Sequence, residues 1–575
     1  MRREAKRRVV LGVAWVVLFG FAYARFRTFH NQTFDLAFYS RMAWGLSAGD
    51  VWDPFLNAHV LGLHVSPVLV PLGWLGHLLG TPMVLLAAQA AAAVGAASLL
   101  GRFGERRLGQ SGWMLGVTAL LAHPNLGHVV TYEAHPGTLA LLPLAGAIER
   151  LDAKDRRGFL IACVGILACR EDLALSVVLL AALAFRWRGL SIAVGTFSLV
   201  YLAVFIAFLH PRFAPDTGSF ELHFGHWGDS MGAAVTRWFT DPAAVFAHLR
   251  DPDHASYLPR ILAPLALLPL LRLRWLLPAA PILAINLLSQ FPTTTQLDSH
   301  YLTPALPFLV AAALAGATRI PRKMVAPLLA LSLGLGLGIA GVDPAASVFR
   351  FDARSEAAEA IVGAIGAGSV QAPDPLLAHL SERDAVHRAP PPDRNADWVV
   401  LDTSHRDRYA EREVLLRTSE EPNLRTWLAR PDYGVVLAAS PWILLHREAE
   451  SRDHLQTAPR LDASWRLCDC LSVQRAYRER DGITLELVAH APCPADLALR
   501  IGARRRPRRV DLLFDGVVSP AHLREGDVVR SHHAIRVEGD TIRVGALRSS
   551  GARPAPEDPV SQSIPLLPSA ESSAR

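Results

Sequence analysis

From residue 9 to residue 340 the apolar positions gather into blocks of roughly 15–20, the length that crosses the hydrocarbon core of a bilayer. Beyond residue 343 the blocks give way to short strand and helix patterns among charges, Pro and Gly. The candidate spans are 9–24, 82–101, 111–127, 136–149, 158–169, 173–185, 189–209, 257–271, 275–290, 301–317 and 323–342. The run 66–79 is short and holds Pro67, Pro71, Trp74 and His77. As a span it would break the inside–outside alternation, so a helix lying at the outer interface or re-entering the membrane is expected there. A helical pattern of Leu36, Tyr39, Ala43 and Leu46 predicts an amphipathic helix along the outer surface. The fold class expected is an α-helical polytopic membrane protein with about 11 transmembrane helices and a C-terminal α/β plus β-rich part.

Composition agrees with this division. The chain has 575 residues, 51% of them hydrophobic, and a mean hydropathy of +0.24, too apolar for a soluble protein of this size. The net charge of +6 is modest, and its placement is more telling. Arg2, Arg3, Lys6, Arg7 and Arg8 precede the first span, and no small-residue cleavage site follows it, which reads as an uncleaved anchor. With this basic start placed in the cytoplasm, the short Arg-rich loops 102–107, 149–157, 186–188, 272–274 and 319–323 all fall inside. The outward loops 25–64, 123–135, 170–172, 210–256 and 290–300 carry Asp, Glu and His instead. An active site should therefore face outward, and the C-terminal part should be extracytoplasmic. The expected location is the cytoplasmic membrane, crossed many times.

The expected domains are a membrane domain over 1–342, a small α/β domain over 343–450, a β-rich module over 458–548 and a disordered tail over 549–575. The α/β domain should hold a helix at 355–365, a buried strand at 397–402 and a hairpin at 433–437 and 442–445. Strands are expected at 483–488, 510–514 and 541–544, in a β-sandwich-like module. The basic run 504–509 reads as a solvated loop or an anionic-lipid contact, and no nucleic-acid partner is expected. Cys163 and Cys169 read as packing residues, whereas Cys468, Cys470 and Cys493 allow one disulfide if that part is extracytoplasmic.

Four places could carry chemistry. Asp35 follows the first span and can be read as a general base beside the membrane or as an N-cap. Arg170-Glu171-Asp172 interrupts an apolar stretch from Phe159 to Phe185, where charges are costly unless paired or wet. Arg170 could hold a phosphate through its fork, or the three could neutralise one another. Glu133 and His135 share an outward turn where they could bind a divalent metal, position a sugar or act as acid and base. His300 and Tyr301 precede a span distorted by Pro304 and Pro307 and could orient a phosphate, or Tyr301 could anchor at the interface. No HExxH or paired DxD marks a metal site, so no cofactor is called for beyond a divalent metal ion that these loops could hold.

Several of these residues carry a family resemblance. Asp35 lies within Phe34-Asp35-Leu36-Ala37-Phe38-Tyr39, followed by Trp44-Gly45-Leu46 and Gly49. Then come Leu63-His64-Val65-Ser66-Pro67, Leu86-Ala87-Ala88-Gln89-Ala90, the Glu133/His135-Pro136 turn, Arg170-Glu171-Asp172-Leu173, and His300-Tyr301 with Pro307-Phe308. In this order over about residues 20–317 they resemble a bacterial membrane-protein family known as domain of unknown function 2079. That family resembles the GT-C glycosyltransferases, which use polyprenyl-phosphate-linked sugars. The resemblance implies a GT-C-like fold in a bacterial inner membrane, a catalytic Asp at Asp35, and surface helices between the first two spans. Two positions depart from the usual pattern: Asp35 lacks a second adjacent carboxylate, and Glu133-Ala134-His135 stands where Asp-Phe-His is more common.

The function expected is inverting transfer of a sugar from a polyprenyl-phosphate donor to a cell-envelope glycan, lipid or protein. Asp35 would be catalytic, and His64, Glu133, His135, Arg170, Glu171, Asp172, His300 and Tyr301 would bind substrate. The alternatives are a transporter or flippase of lipid-linked substrates and a non-catalytic anchor with envelope-binding domains. No internal repeat is visible and the charges are one-sided, which disfavours a transporter.

Overall fold

The computed structural model describes residues 2–31, 35–214 and 219–339 of the helical part. Further on it describes 349, 351, 353–388, 395–402, 430, 432–439, 442–447, 461, 464–478, 483–491, 493, 497–503, 506–511, 525–526, 528–533, 540–548 and 562–567. The chain divides into two units, Met1–Phe26 with His30–Phe349, and Arg27–Phe29 with Arg350–Arg575.

Among the described residues five helices are long and apolar enough to cross a membrane: Arg3–Arg27, Thr81–Leu108, Phe185–Phe213, Leu268–Leu288 and His300–Arg319. The other expected spans fall on shorter helices, among them Gln110–Leu121, Leu141–Asp152, Arg156–Leu167, Ala174–Leu183 and Pro252–Leu262. Proline sets several of these limits. Pro124 and Pro136 each start a new short helix, because proline is tolerated in a first turn but not inside a helix. The count of eleven is thus not reproduced by length and composition alone.

The centre of the first unit is Thr81–Leu108, rich in alanine, against which Gln110–Leu121, Leu141–Asp152 and Leu306–Gly316 pack. Every residue of Leu306–Gly316 is buried. Small residues permit the close approach. A Cβ on Gly116, for instance, would stand 2.6 Å from the carbonyl oxygen of Leu100.

The segment between the first two long helices holds the helix Asp35–Ala48, a hairpin of β1 (Trp52–Asp53) and β2 (Ala58–His59), and the helix Leu69–Leu79. At 11 residues Leu69–Leu79 is about 17 Å long, too short to span. Trp74, Leu75, Leu78 and Leu79 stand exposed on it. Asp35–Ala48 differs from the expected amphipathic surface helix. Leu36 through Ala43 are all buried, including Arg41, which pairs with Asp50. Gly73 explains part of this enclosure, since any side chain there would run into the backbone of Ala43.

The second unit holds a five-stranded sheet in the order β4-β3-β5-β7-β6, formed by β3 (Val370–Ala372), β4 (Val386–Arg388), β5 (Trp398–Asp402), β6 (Tyr433–Ala439) and β7 (Trp442–Arg447). The first three strands pair in parallel, and β6 and β7 form the expected antiparallel hairpin. The helix expected at 355–365 is Ala353–Ala364. Two antiparallel four-stranded sheets follow. One, β13-β10-β9-β8, contains β8 (Trp465–Arg466), β9 (Leu471–Arg478), β10 (Ile483–Ala489) and β13 (Val528–His533). The other, β12-β11-β14-β15, contains β11 (Leu497–Ala503), β12 (Arg506–Asp511), β14 (Thr541–Arg548) and β15 (Gln562–Pro565). Val473 and Leu485 of one sheet and Leu499, Ile501, Ile542 and Val544 of the other are buried in one cluster. Two expectations are corrected here. Residues 506–509 of the basic run lie in β12 rather than in a loop, because Arg509 and Val510 pair with Ile501 and Arg500. In the tail expected to be disordered, β15 pairs with β14 from Gln562 to Pro565. The disulfide is Cys470–Cys493, and Cys468 is a free thiol.

Candidate active site

Four stretches that lie far apart in the chain meet around the start of the Asp35–Ala48 helix: Glu133–Gly137, Arg170–Asp172, His300–Tyr301 and the helix start itself. The first N–H groups of a helix lack intrahelical partners. Here Leu36 N–H donates to Glu133 Oε2 at 2.6 Å, and Asn31 Nδ2 donates to Glu133 Oε1 at 3.4 Å. A carboxylate at a helix N-terminus is also favoured by the helix dipole. Glu133 is 1% exposed, so its carboxylate faces the helix start rather than open space. This differs from the expected substrate contact. Capping comes from Glu133, and the Asp35 side chain turns toward His135, with Oδ2 3.2 Å from Nε2.

The 133–135 turn is held by a buried amide on the central helix. Gln89 Nε2 donates to the carbonyl of Glu133 at 2.5 Å, and Gln89 Oε1 accepts from His135 N–H at 3.1 Å. Pro136 keeps His135 extended, at φ −135° and ψ 142°. A second buried amide does the same for His300. Asn125 Nδ2 donates to the carbonyls of Leu297 and Ser299 at 2.8 and 2.7 Å, and Thr303 Oγ1 donates to Asn125 Oδ1 at 2.9 Å. The imidazoles of His135 and His300 stack with centroids 3.8 Å apart. Tyr39 meets His135 edge-on at 5.6 Å and lies 6.2 Å from the His64 ring. Burial pushes its hydroxyl well above the usual tyrosine range.

His64 and Glu171 form the adjoining contact. His64 Nδ1 lies 3.0 Å from Glu171 Oε1, and Val65 N–H donates to Glu171 Oε2 at 3.0 Å. Ser66 Oγ donates to the carbonyl of Cys169 at 2.7 Å. Arg170 pairs with Asp172 at 3.0 Å, and its Nε is buried without a hydrogen-bond partner. Burial alone would raise Glu171, but His64 and Arg170 outweigh it and hold that carboxylate low. Burial raises Asp172, with the Glu171 charge adding and Arg170 opposing. Two neighbouring carboxylates are thereby pushed apart in acidity. Arg170 reaches the other residues past Gly137, where an added Cβ would stand 3.4 Å from Pro304 Cγ and 3.6 Å from Arg170 Cδ.

Asp35, His135 and His300 offer ligand atoms that all lie within 4.8 Å of one another. Among the described residues no other such group of His, Cys, Asp and Glu occurs, and Glu133 is not part of it. Tyr301 adjoins at 4.2 Å from the His300 ring, and His223 meets Tyr301 edge-on at 5.8 Å. Burial, helped by the Arg170 charge, lowers His223 to about 4. Tyr39, Gln89, Asn125 and His223 were not among the residues expected at the site. Tyr39 and Gln89 lie in motifs that carry the family resemblance, and Gln89 is also the one polar residue among the alanines from Ala87 to Ala93.

Long apolar helices enclosing a cluster of acid, imidazole and guanidinium groups define a polytopic membrane protein with a polar site. The chain belongs to the DUF2079 family of predicted membrane proteins, whose profile matches residues 25–433. Among solved structures it is similar to ArnT from Cupriavidus metallidurans bound to undecaprenyl phosphate, at 13% identity and a TM-score of 0.44, over 78% of this chain and 98% of that one. The apo state of the same ArnT gives 12% identity and a TM-score of 0.39, over 76% and 98%. No protein of curated function matches the chain.

Proposed function

We propose that the protein is a GT-C-like glycosyltransferase of the bacterial inner membrane. It would transfer a sugar from a polyprenyl-phosphate-linked donor to a glycan, lipid or protein acceptor outside the cytoplasm. The observation that carries this reading is the convergence of the Asp35 carboxylate with His135 and His300, with Arg170 running close to Gly137. In the proposed reaction the acceptor hydroxyl oxygen attacks the anomeric carbon and its proton passes to Asp35. The bond between that carbon and the phosphate oxygen breaks, and the electron pair leaves with the polyprenyl phosphate, inverting the centre. Arg170, whose Nε lacks a hydrogen-bond partner, is the group suited to a phosphate.

The test is transfer of label from a panel of polyprenyl-phosphate sugars to membrane acceptors by purified protein in lipid nanodiscs. Asp35→Asn is expected to lower transfer by about 10²–10⁴-fold, the usual contribution of a positioned base. Undiminished transfer by Asp35→Asn would overturn the assignment.

A further inference from the structure

Three chain segments that are distant in sequence deliver Asp35, His135 and His300 to one point. His135 Nε2 stands 3.2 Å from Asp35 Oδ2, yet both ring nitrogens of His135 are buried without a hydrogen bond. The residue is only 4% exposed. Buried polar atoms of this kind are nearly always satisfied, so an unsatisfied pair at a convergence of ligand-type side chains needs an account. The His300 ring lies beside that of His135, with the two centroids 3.8 Å apart.

We propose that Asp35, His135 and His300 bind a single zinc-class divalent ion. Ligands bound at about 2.0–2.1 Å in a tetrahedron lie about 3.3 Å from one another, close to the 3.2 Å between Asp35 and His135. Two imidazoles and one carboxylate suit zinc or cobalt, whereas magnesium and calcium prefer oxygen throughout. Three protein ligands leave a fourth position open, the pattern of catalytic rather than structural zinc. The supports are built in: Gln89 and Glu133 fix the His135 turn and the start of the Asp35 helix, and Asn125 fixes the His300 loop. Bound through one oxygen, Asp35 keeps the other for an acceptor proton. The site rests on side-chain geometry and not on sugar transfer, so each can fail without the other.

The experiment is zinc titration by calorimetry with elemental analysis, on full-length protein in nanodiscs, purified without a histidine tag and stripped with EDTA. One zinc per chain is expected. His135→Ala and His300→Ala should each weaken binding at least tenfold, since changes merely around a metal already cost 10–100-fold. His248→Ala is the control, because His248 sits in a separate histidine group with its ring 4.9 Å from His226 and 4.2 Å from His254. X-ray absorption on the zinc-loaded wild type guards against variants that fail to fold, and should report two imidazoles and one carboxylate oxygen. No zinc uptake, zinc retained in the His135→Ala/His300→Ala double variant, or loss only in His248→Ala would each overturn the proposal.

Discussion

Glu133 joins two parts of the candidate site, so replacing it with glutamine tests how that site is held. The change keeps the shape and one acceptor oxygen but removes the charge that faces Leu36 N–H at 2.6 Å. A hydrogen bond to a charged group contributes roughly 1.5–3 kcal/mol, and a carboxylate at a helix N-terminus about 0.3–1 kcal/mol through the dipole. Glutamine can recover the neutral part of the bond. The expected loss is therefore about 1–3 kcal/mol, centred on the first turn of Asp35–Ala48. Glu133→Ala leaves the buried N–H and Asn31 Nδ2 without this acceptor, so its loss should be the larger of the two. The assay pairs thermal unfolding in nanodiscs with hydrogen exchange of the amides from Leu36 to Tyr39. Glu133→Gln should lower the midpoint and speed exchange at Leu36 ahead of the rest of the helix. An unchanged midpoint together with unchanged exchange at Leu36 would refute the capping role.

Two further outcomes follow from the packing and the titrating groups. His223, lowered to about 4 from an ordinary 6.5, takes up a proton in the unfolded chain before it does in the folded one. Its contribution to stability is therefore complete above pH 6.5 and is lost as the pH falls toward 4, by at most on the order of 3 kcal/mol. His223→Gln should flatten that part of a stability profile measured in nanodiscs; an unchanged slope would count against the burial of this ring. Gly73→Ala should destabilise the first unit by about 1–3 kcal/mol, because the new Cβ meets the Ala43 backbone. Thermal unfolding that matches wild type would show that the two helices can separate there without strain.

The long apolar helices were legible because hydropathy and length are local properties. The residues from Thr81 to Leu108 need no partner to declare themselves. Where proline cuts a block, as at Pro124 and Pro136, composition still reads as one stretch although the backbone turns. The candidate site was legible as residue types and less so as roles. Asp35, His135 and His300 stand out as polar residues beside apolar blocks. That Glu133 should cap the helix of Asp35 depends on how the helices pack, and no spacing rule carries that information. The same holds for Arg41, which the structure buries beside Asp50. In the second unit the alternation of Ile483, Leu485 and Leu487 announced the strand that β10 forms. The pairing of 506–509 with β11 was hidden, because a run of arginines looks like a loop whatever its backbone does.

Gln89 and Asn125 have a consequence for biosynthesis. Each is a single side chain on the first half of the bundle that fastens backbone from a later segment, and Asn125 cannot engage the Leu297–Thr303 stretch until that stretch has been made and inserted. Asp35 and His135 thus wait in the nascent membrane protein for His300, and a ribosome stalled before that point leaves an incomplete cluster. Completion of this cluster therefore reports that synthesis has passed the Leu297–Thr303 stretch.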